Sequence, residues 1–348
     1  MRILYSGILA LIVISGSYVY WWHYVADRLV NLANNWREQR ISEGYDVTHD
    51  PLVTSGFPYR IKVTAENLTL TNPTHIQAPS IKIPEFWAVV QPWQINHVIF
   101  GADGDGKARW QENGEERTLN FSSTSALGSA TFSLQGRLQT LALDIKELDA
   151  LPSWRPPVTA QRVQLHGRPT PPRDNEAEDK KPQLAAQQIV LRADDITVDG
   201  MADFPLGEHI EDFSISTVLH GKIPRLPAAD TLAIWQDNGG YVDIEALNIK
   251  WGESAMTGEG AIALDDRMRP LGKLETRISG YGAILAALTD SRQLDAQTAR
   301  TIGFGLNLLS REDDDGKRYI ALPLSAQDGG MYLGPVFLMR LGSVIGSN

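Results

Sequence analysis

A long apolar run near the amino terminus constrains this chain more than any other feature. Residues Ile3–Trp22 contain no charged side chain. At about 1.5 Å of rise per residue, a helix of that length matches the roughly 30 Å hydrocarbon thickness of a bilayer. The sequence therefore predicts a transmembrane anchor over residues 1–24. It closes with amphipathic rings that favour the membrane–water interface, Tyr18, Tyr20, Trp21, Trp22 and Tyr24.

A cleaved signal peptide is the alternative interpretation of this segment. Arg2 supplies a positive start, Ile8–Ile14 an apolar stretch, and Ser15–Ser17 small residues at a cleavage-like spacing. The apolar run continues to Trp22 beyond these small residues, which favours an uncleaved anchor. Flanking charges do not decide the orientation, but a short tail before a large domain favours the amino terminus inside. In a bacterium this predicts a single-pass inner-membrane protein with the bulk of the chain in the periplasm.

The composition is that of a folded chain and excludes several function classes. Hydrophobic residues make up 43% and charged residues 21%, which is typical of globular proteins and not of disordered ones. The net charge of −10 argues against a nucleic-acid partner, because phosphate binding depends on clustered Lys and Arg. The chain has no Cys, which excludes disulfides, thiol catalysis and cysteine metal sites.

The residues after the anchor have the spacing of a second, amphipathic helix. Val25, Leu29, Leu32 and Trp36 recur at intervals of four, three and four, and Gly44 is suited to end a helix. We therefore predict a stem helix over residues 25–44. Its apolar stripe packs on the domain or, alternatively, lies in the membrane interface.

From residue 45 onward the apolar period becomes two, which is typical of strands with one apolar and one polar face. Turn residues separate these segments, and we predict hairpin turns at Asp103–Gly106, Asn113–Gly114 and Asp315–Gly316. The expected fold is mainly β (α+β), with a long antiparallel, curved sheet and a few short helices. The clearest strand segments before the middle of the chain are Arg60–Thr64, Asn67–Thr71, Ser80–Ile83, Asn96–Phe100, Ala130–Leu134 and Thr140–Ile145.

A segment rich in proline and charge interrupts the strand pattern. Residues 167–184 have no apolar period and indicate an exposed loop or linker. We predict a first β-rich half over residues 45–166 and a second over residues 185–348. The second half is expected to contain short helices at Ala228–Gln236, Tyr281–Thr289 and Asp295–Phe304, and its strands to include Leu306–Leu309.

No motif in the sequence indicates an enzyme. The seven histidines are scattered, and no His/Asp/Glu cluster has metal-ligand spacing. Asp103–Gly106 and Asp313–Gly316 lack the later oxygen ligands of a calcium loop. A nucleophile elbow, a phosphate-binding loop and a dinucleotide fingerprint are absent from the sequence. We therefore expect no catalytic residue, no metal site and no cofactor, and an envelope hydrolase is the weakest functional hypothesis.

The predicted strands outnumber the helices that would cover them. An antiparallel sheet with one apolar face must cover that face with helices, a second sheet or a ligand. We therefore predict that part of an apolar concave face is open to a hydrophobic ligand. Ordinary core packing is the alternative for the same side chains. The residues proposed to line this groove are Phe57, Phe86, Trp87, Val89, Val90 and Trp93.

Several turn and strand-edge motifs resemble those of a known family. They are Gly44–Val47, Gly56–Arg60, Trp235–Gly240, Trp251–Gly252, Gly258–Gly260, Leu264–Asp265 and Pro270–Gly272. With the anchor and stem, most of the chain resembles an alphaproteobacterial membrane-anchored domain family of unknown function. The general plan is more loosely similar to AsmA-like envelope proteins, whose hydrophobic-lined β-structures are thought to shelter or pass lipid. No functional residue carries over from either group.

Two functional hypotheses follow from these features. In the first, an inner-membrane-anchored periplasmic protein binds lipid or another hydrophobic ligand on an apolar concave sheet, in envelope lipid handling. Its partner is then membrane lipid. In the second, a non-enzymatic envelope scaffold or assembly factor binds a protein partner through a sheet edge, because exposed edges accept strands.

Overall fold

A computed structural model describes residues 2–112, 114–170, 186–201, 204–221, 228–292, 294–313 and 316–344. Strands account for 53% and helices for 23% of the structure, so the predicted mainly β class is confirmed. The chain divides into two compact units, Met1–Pro157 and Val158–Asn348. We refer to them as unit 1 and unit 2.

The predicted anchor and stem form one continuous helix, α1, over Arg2–Ser42. Its apolar part is long and apolar enough to cross a membrane. No proline interrupts α1, so nothing in the backbone breaks it between the anchor and the stem. At 1.5 Å per residue, α1 is about 60 Å long. Gly44, just beyond its end, has a φ of 92°, as expected at a helix stop.

The sheet of unit 1 is antiparallel throughout. Its strands are β1 Asp46–Thr48, β2 Val53–Ser55, β3 Ile61–Thr71, β4 Ser80–Gln91, β5 Gln94–Asp103, β6 Gly106–Glu112, β7 Glu115–Ser122, β8 Ser125–Phe132 and β9 Leu138–Pro152. β1 and β2 lie end to end along β3, which pairs with β4. β5 and β6 lie end to end along the other side of β4. β8 then pairs with β5 and β7 with β6, and both pair with β9.

The prediction of a hairpin at Asp103–Gly106 is wrong. β5 and β6 both pair with β4, so the chain keeps its direction through this segment. The 12-residue β4 is long enough to pair with both, and Gly104, with a φ of 86°, allows the irregular backbone between them. At Asn113–Gly114, by contrast, Glu112 pairs with Glu115 as a hairpin requires, although Asn113 itself lies outside the described residues.

A similar irregularity in β3 joins two segments that were predicted separately. Asn67 has a φ of 52° inside the continuous strand Ile61–Thr71. The apolar positions are odd-numbered before Asn67, at Ile61 and Val63, and even-numbered after it, at Leu68 and Leu70. A residue in the left-handed region shifts the alternation of a strand without ending it. This shift made one strand look like two.

Unit 2 is a second antiparallel array with three helices among its described residues. Its elements are β10 Val158–Pro169, β11 Ala186–Val198, β12 His209–His220, α2 Ala228–Asp237, β13 Tyr241–Trp251, β14 Ser254–Leu264, β15 Pro270–Ser279, α3 Tyr281–Asp290, α4 Ala296–Leu309, β16 Arg311–Glu312, β17 Arg318–Gln327, β18 Gly330–Leu333 and β19 Val336–Arg340. Strands β10 to β15 pair in chain order, and β15 pairs with β17. β17 also pairs with β16 and β18, and β18 pairs with β19.

Two predicted boundaries in unit 2 are wrong. Leu306–Leu309, predicted as a strand, is the last turn of α4. The apolar run was too short to separate helix from strand, and Leu306 lies one helical turn after Ile302 on the packed side of α4. The predicted loop 167–184 lies mostly outside the described residues, but Gly167–Pro169 belong to β10, where they pair with Gln187–Ile189. Asp315 of the predicted turn also lies outside the described residues.

The start of α4 is fixed by a side-chain cap, close to its predicted position. The carboxylate of Asp295 accepts hydrogen bonds from the backbone N–H groups of Gln297 and Thr298, at 3.1 and 2.9 Å. Such a cap satisfies donors that the first helical turn leaves without partners. Two hydrogen bonds from Thr298 lower the pKa of Asp295, and the one from the side chain has a larger effect than the one from the backbone.

The core of unit 2 lies where α3 and α4 pack on the sheet. Ile278 on β15, Ile320 on β17 and Leu306 on α4 are buried together. Partly buried neighbours complete this cluster: Met256, Tyr281, Ile284, Leu285, Ile302, Leu322 and Leu333.

Truncation of Leu306 tests this packing. We expect Leu306→Ala to lower the free energy of unfolding by about 2–5 kcal/mol, because it removes buried methyl groups and leaves a cavity. Leu308→Ala, on the same helix, is the matched control and should change it by about 0.5 kcal/mol or less, since Leu308 is 72% exposed. Denaturant unfolding of the purified protein, followed by circular dichroism, measures both. Equal effects would contradict the packing of α4.

Candidate functional site

One face of the unit 1 sheet is apolar across five neighbouring strands. The pairings of β3, β4, β5, β8 and β9 keep one register over this region, so side chains opposite one another share a face. We call this surface the apolar face. It consists of Ile61, Val63, Ala65, Phe86, Ala88, Val90, Val98, Phe100, Ala102, Ala126, Gly128, Ala130, Leu141, Leu143 and Ile145.

Helix α1 covers one end of the apolar face. Trp22, Val25 and Ala26 are buried in one cluster with Ile61 and Val90. Leu29 of α1 and the sheet residues Val63 and Val98 pack against the same cluster. The covered end is thus formed by β3, β4 and the start of β5.

The remainder of the apolar face is only partly covered. α1 is the only helix in the described part of unit 1. Of the fifteen positions, ten are half-buried and five are buried. Phe100 lies across Gly128, where an added Cβ would come within 2.3 Å of the ring, and its centroid is 6.2 Å from that of Phe86. The half-buried part is therefore a sheet surface lined by apolar side chains.

The opposite face of the same strands is mixed, because it carries Lys62, Glu85 and Asp103 as well as Val89, Ile99 and Leu127. The indole N–H of Trp87 donates to Asp103 Oδ2 at 2.8 Å. Lys62 Nζ lies 5.1 Å from the centroid of the Trp87 ring and 3.3 Å from Glu85 Oε1. Trp87 is thus held by a hydrogen bond and a cation–π contact.

The six residues predicted to line one groove are separated by the structure. Phe86 and Val90 lie on the apolar face, and Val90 is buried under α1. Trp87 and Val89 lie on the opposite face, because neighbouring residues of a strand point to opposite sides. Phe57 and Trp93 lie in loops and are exposed. A single groove made of all six residues is therefore wrong.

The stripe predicted for the stem helix is also partly wrong. Val25 and Leu29 pack on the sheet, but Leu32 and Trp36 are exposed. The contact continues instead through Arg37, whose Nε donates to the backbone oxygen of Val47 at 2.9 Å. At 3.6 residues per turn, Trp36 projects between Val25 and Leu29 around the helix, so Trp36 is exposed because of its position along α1 and not because of its side of the helix.

Three of the aromatic residues predicted at the membrane interface hold loops of unit 1. Tyr18 donates its hydroxyl hydrogen to the Pro58 carbonyl. The indole N–H groups of Trp21 and Trp22 donate to the carbonyls of Pro92 and Arg60, each at 3.1 Å. Trp22 is consequently part of the core. The other two predicted interface residues, Tyr20 and Tyr24, are exposed.

Unit 2 contains an apolar cavity of 220 Å³ between the α3–α4 pair and its sheet. Every lining side chain is hydrophobic, and only Tyr281 carries a polar atom. Its hydroxyl donates to Asn307 Oδ1 at 2.8 Å. The lining comes from β14, β15, β17, β18, β19 and the two helices, and includes Met256, Leu285, Leu288, Leu324, Met331 and Phe337.

The side chains that form the two apolar surfaces are almost all hydrophobic. Among the described residues, no group of three or more His, Cys, Asp or Glu side chains is placed to hold a metal ion. A polar groove of 380 Å³ on unit 2 is lined by Glu245, Glu259, Glu275 and Arg277 among others.

Most of the apolar face was missed by sequence reasoning. Ala88, Phe100 and Leu143 each belong to an alternating strand, but alternation alone does not say which strands are neighbours. The large aromatic residues of Phe86–Trp93 give a strong hydrophobic signal, whereas the small residues Ala126, Gly128 and Ala130 give a weak one. A period-two reading of all five strands, aligned by their pairing, is the signal that identifies the face.

A matched pair of tryptophans tests how α1 covers the sheet. Trp22 is 4% exposed and Trp36 is 46% exposed on the same helix. We expect Trp22→Ala to lower the free energy of unfolding by about 3–5 kcal/mol and Trp36→Ala by less than about 1 kcal/mol. Denaturant unfolding in detergent, followed by circular dichroism, measures both. The reverse order would show that α1 packs on the sheet near Trp36 and not near Trp22.

Sequence comparison matches residues 22–342 to a family described as an uncharacterized protein conserved in bacteria. No curated protein and no solved structure matches the chain. The expected resemblance to a bacterial domain family of unknown function is confirmed at this level.

Proposed function

The chain belongs to DUF2125, an uncharacterized family conserved in bacteria, and we propose that it is a membrane-anchored protein that binds lipid acyl chains on the apolar face of unit 1. The described protein is otherwise an N-terminal apolar helix followed by a large antiparallel sheet structure. Lipid handling in the cell envelope is the role that these features support best.

The observation that carries the proposal is the apolar face with its partial cover. Ten of its positions keep solvent contact, although every one is apolar or glycine. Burying such surface against hydrocarbon is favourable by about 25 cal/mol per Å². A polar ligand would lose hydrogen bonds to water there without gaining any from these side chains. An acyl chain loses none, so it is the ligand that suits this surface.

The position of α1 favours bilayer lipid as the source of the ligand. Ile61 and Val90 lie at the covered end of the apolar face. Ile61 follows the loop whose Arg60 carbonyl accepts from Trp22, and Val90 precedes the loop whose Pro92 carbonyl accepts from Trp21. Val98 pairs with Ala130, and Ala130 with Leu141, so the face continues sideways from that end past the helix. An acyl chain leaving the bilayer beside α1 would meet this uncovered part first.

The apolar cavity of unit 2 offers a second place for a hydrophobic group. Cavities of this character stay dry and accept small apolar ligands. At 220 Å³, it is smaller than the pockets that enclose whole drug-sized molecules. It suits the end of a chain and not a complete lipid.

We further propose that α1 is an uncleaved anchor of the inner membrane and that the rest of the chain lies in the periplasm. The apolar part of α1 has the length and composition of a membrane span. Residues Tyr18, Trp21 and Trp22 at its end bind the folded domain directly. The likeness to AsmA-like envelope proteins belongs to this proposal.

Site-specific photocrosslinking tests lipid binding on the apolar face. Phe100 and Ile99 are neighbours on β5 that point to opposite faces, and Ile99 is the more exposed of the two. We expect a benzophenone amino acid at position 100 to form lipid adducts in cells, and the same group at position 99 to form severalfold fewer. Mass spectrometry of the purified protein identifies the adducts.

The pair of positions makes this experiment decisive. Equal lipid labelling at both would show only general proximity to the bilayer, and its absence at position 100 would remove the apolar face as a lipid site. Melting curves of both variants show whether the sheet is intact.

A protein partner bound through a sheet edge is the second candidate. β19 pairs with β18, and no other strand pairs with it among the described residues. Its Phe337 and Met339 are exposed, and an uncovered strand edge accepts a further strand. Crosslinking from position 339 in cells should then capture one reproducible protein, and lipid adducts or no adducts at that position would count against it.

A further inference from the structure

Two loops of unit 1 are held at the level where the apolar part of α1 ends. The first, Gly56–Arg60, offers the carbonyls that accept from Tyr18 and Trp22. The second, at Pro92 between β4 and β5, accepts from Trp21. Both loops are therefore fixed to α1 by direct hydrogen bonds and cannot shift along the helix without breaking them.

We infer that unit 1 itself enters the bilayer interface through a rim of four exposed side chains, Phe57, Tyr59, Trp93 and Ile95. This inference rests on the proposed function in one respect, that α1 crosses a membrane. It adds a second membrane contact, made by the domain and separate from the anchor.

The depth of the rim follows from the geometry of α1. Tyr18 lies four residues before Trp22, or about 6 Å along the helix axis. If the hydrocarbon span ends near Trp22, the loop that binds Tyr18 reaches to or slightly below the boundary between headgroups and acyl chains. Phe57 lies at the same depth, because its ring centroid is 6.4 Å from that of Tyr18 and 5.5 Å from that of Trp22.

The rim residues have the chemistry of that boundary. Tyr59 is 76% exposed and Trp93 is 63% exposed, and Phe57 and Ile95 are also exposed. Tyr and Trp are enriched at membrane–water interfaces because one end of the ring is apolar and the other forms hydrogen bonds. In water these side chains would form an unfavourable exposed cluster. In the interface the same cluster is stabilised.

The loop backbone keeps this part of the rim in place. Gly56 has a φ of 99°, and a Cβ there would lie 2.8 Å from the carbonyl oxygen of Arg60. The Arg60 N–H donates to the Gly56 carbonyl at 3.1 Å, which closes the loop. Glycine is needed for this close approach, and the closed loop presents Phe57 and Tyr59 on its outside.

The charge of the two loops favours lipid over an average protein surface as the occupant. Residues 56–60 and 91–96 contain no Asp or Glu, although the chain as a whole has a net charge of −10. Their one charged residue is Arg60, which is exposed. Basic and aromatic groups together suit anionic headgroups above an acyl layer. The occupant is thus the bilayer that α1 crosses.

Exposed apolar residues also mark the same end of the sheet elsewhere. The turn between β8 and β9 carries Leu134, which is almost fully exposed. Asn96, next to Ile95, donates to the carbonyl of Phe132 at 3.4 Å and so joins this turn to the β4–β5 end. The opposite end of β3 and β4, around Ile76, has no hydrogen bond to α1 among those described and serves as the internal reference.

Single spin labels in the full-length protein test the rim. The natural chain has no Cys, so Tyr59→Cys and Trp93→Cys each give one labelled site. Ile76→Cys is the matched aqueous control, because it is 90% exposed and lies one strand length, about 35 Å, from the rim. Ile12→Cys reports the span of α1. The protein is studied in nanodiscs that contain anionic lipid.

The ratio of collisions with oxygen to collisions with a water-soluble nickel complex is the readout. We expect this ratio to be severalfold higher at positions 59 and 93 than at position 76. Values at 59 and 93 equal to that at 76, with a lipid-like value at 12, would overturn the rim and leave the anchor intact. An aqueous value at 12 would instead overturn the anchor on which the proposed function depends. Both rim positions are exposed, and a melting curve verifies folding of each variant.

Discussion

The apolar side of an antiparallel sheet has to be removed from water, and the structure of unit 1 depends on how this is done. Five strands present fifteen apolar or glycine positions on one face. One helix is available in the described part of the unit, and it covers the end near Ile61 and Val90. The strands satisfy their backbone hydrogen bonds within the sheet. What the rest of the face still lacks is burial of its apolar side chains. Its incomplete burial is the physical basis of the proposed lipid binding.

The helix that covers the sheet is also the proposed anchor, and this couples position to function. Because α1 continues without a break from Arg2 to Ser42, the domain cannot rotate freely about a flexible stem. Trp22 has two roles in this arrangement. Its ring is buried against the sheet, and its N–H binds the Arg60 carbonyl. The apolar face therefore begins at the level where the apolar part of α1 ends, which is where an acyl chain would have to leave the bilayer.

Sequence patterns predicted the fold class and most elements, because period and turn chemistry are local properties. The long apolar helix and α3 were recognised for that reason. The prediction failed where tertiary pairing decides. Asp103–Gly106 has the composition of a hairpin turn, but the length of β4 makes it a break within a continuing strand. Leu306–Leu309 was too short to assign by period, and the extra turn of α4 is stabilised by packing of Leu306 on Ile278 and Ile320.

The candidate site was predictable only in kind. A shortage of helices relative to strands indicated an uncovered apolar face, but Trp87 and Val89 could be separated from Phe86 and Val90 only once Ser80–Gln91 was known to be one continuous strand. The small residues Gly128 and Ala130 carry no hydrophobic signal of their own. They matter because the pairing places them between Phe100, Val98 and the leucines of β9.

Native mass spectrometry of the full-length protein released from detergent tests the central claim most directly. We expect bound phospholipid on the natural chain, its loss in Phe100→Glu, and its retention in Ile99→Glu on the opposite face of the same strand. An unliganded natural chain, or equal lipid occupancy in the two variants, would contradict lipid binding on the apolar face.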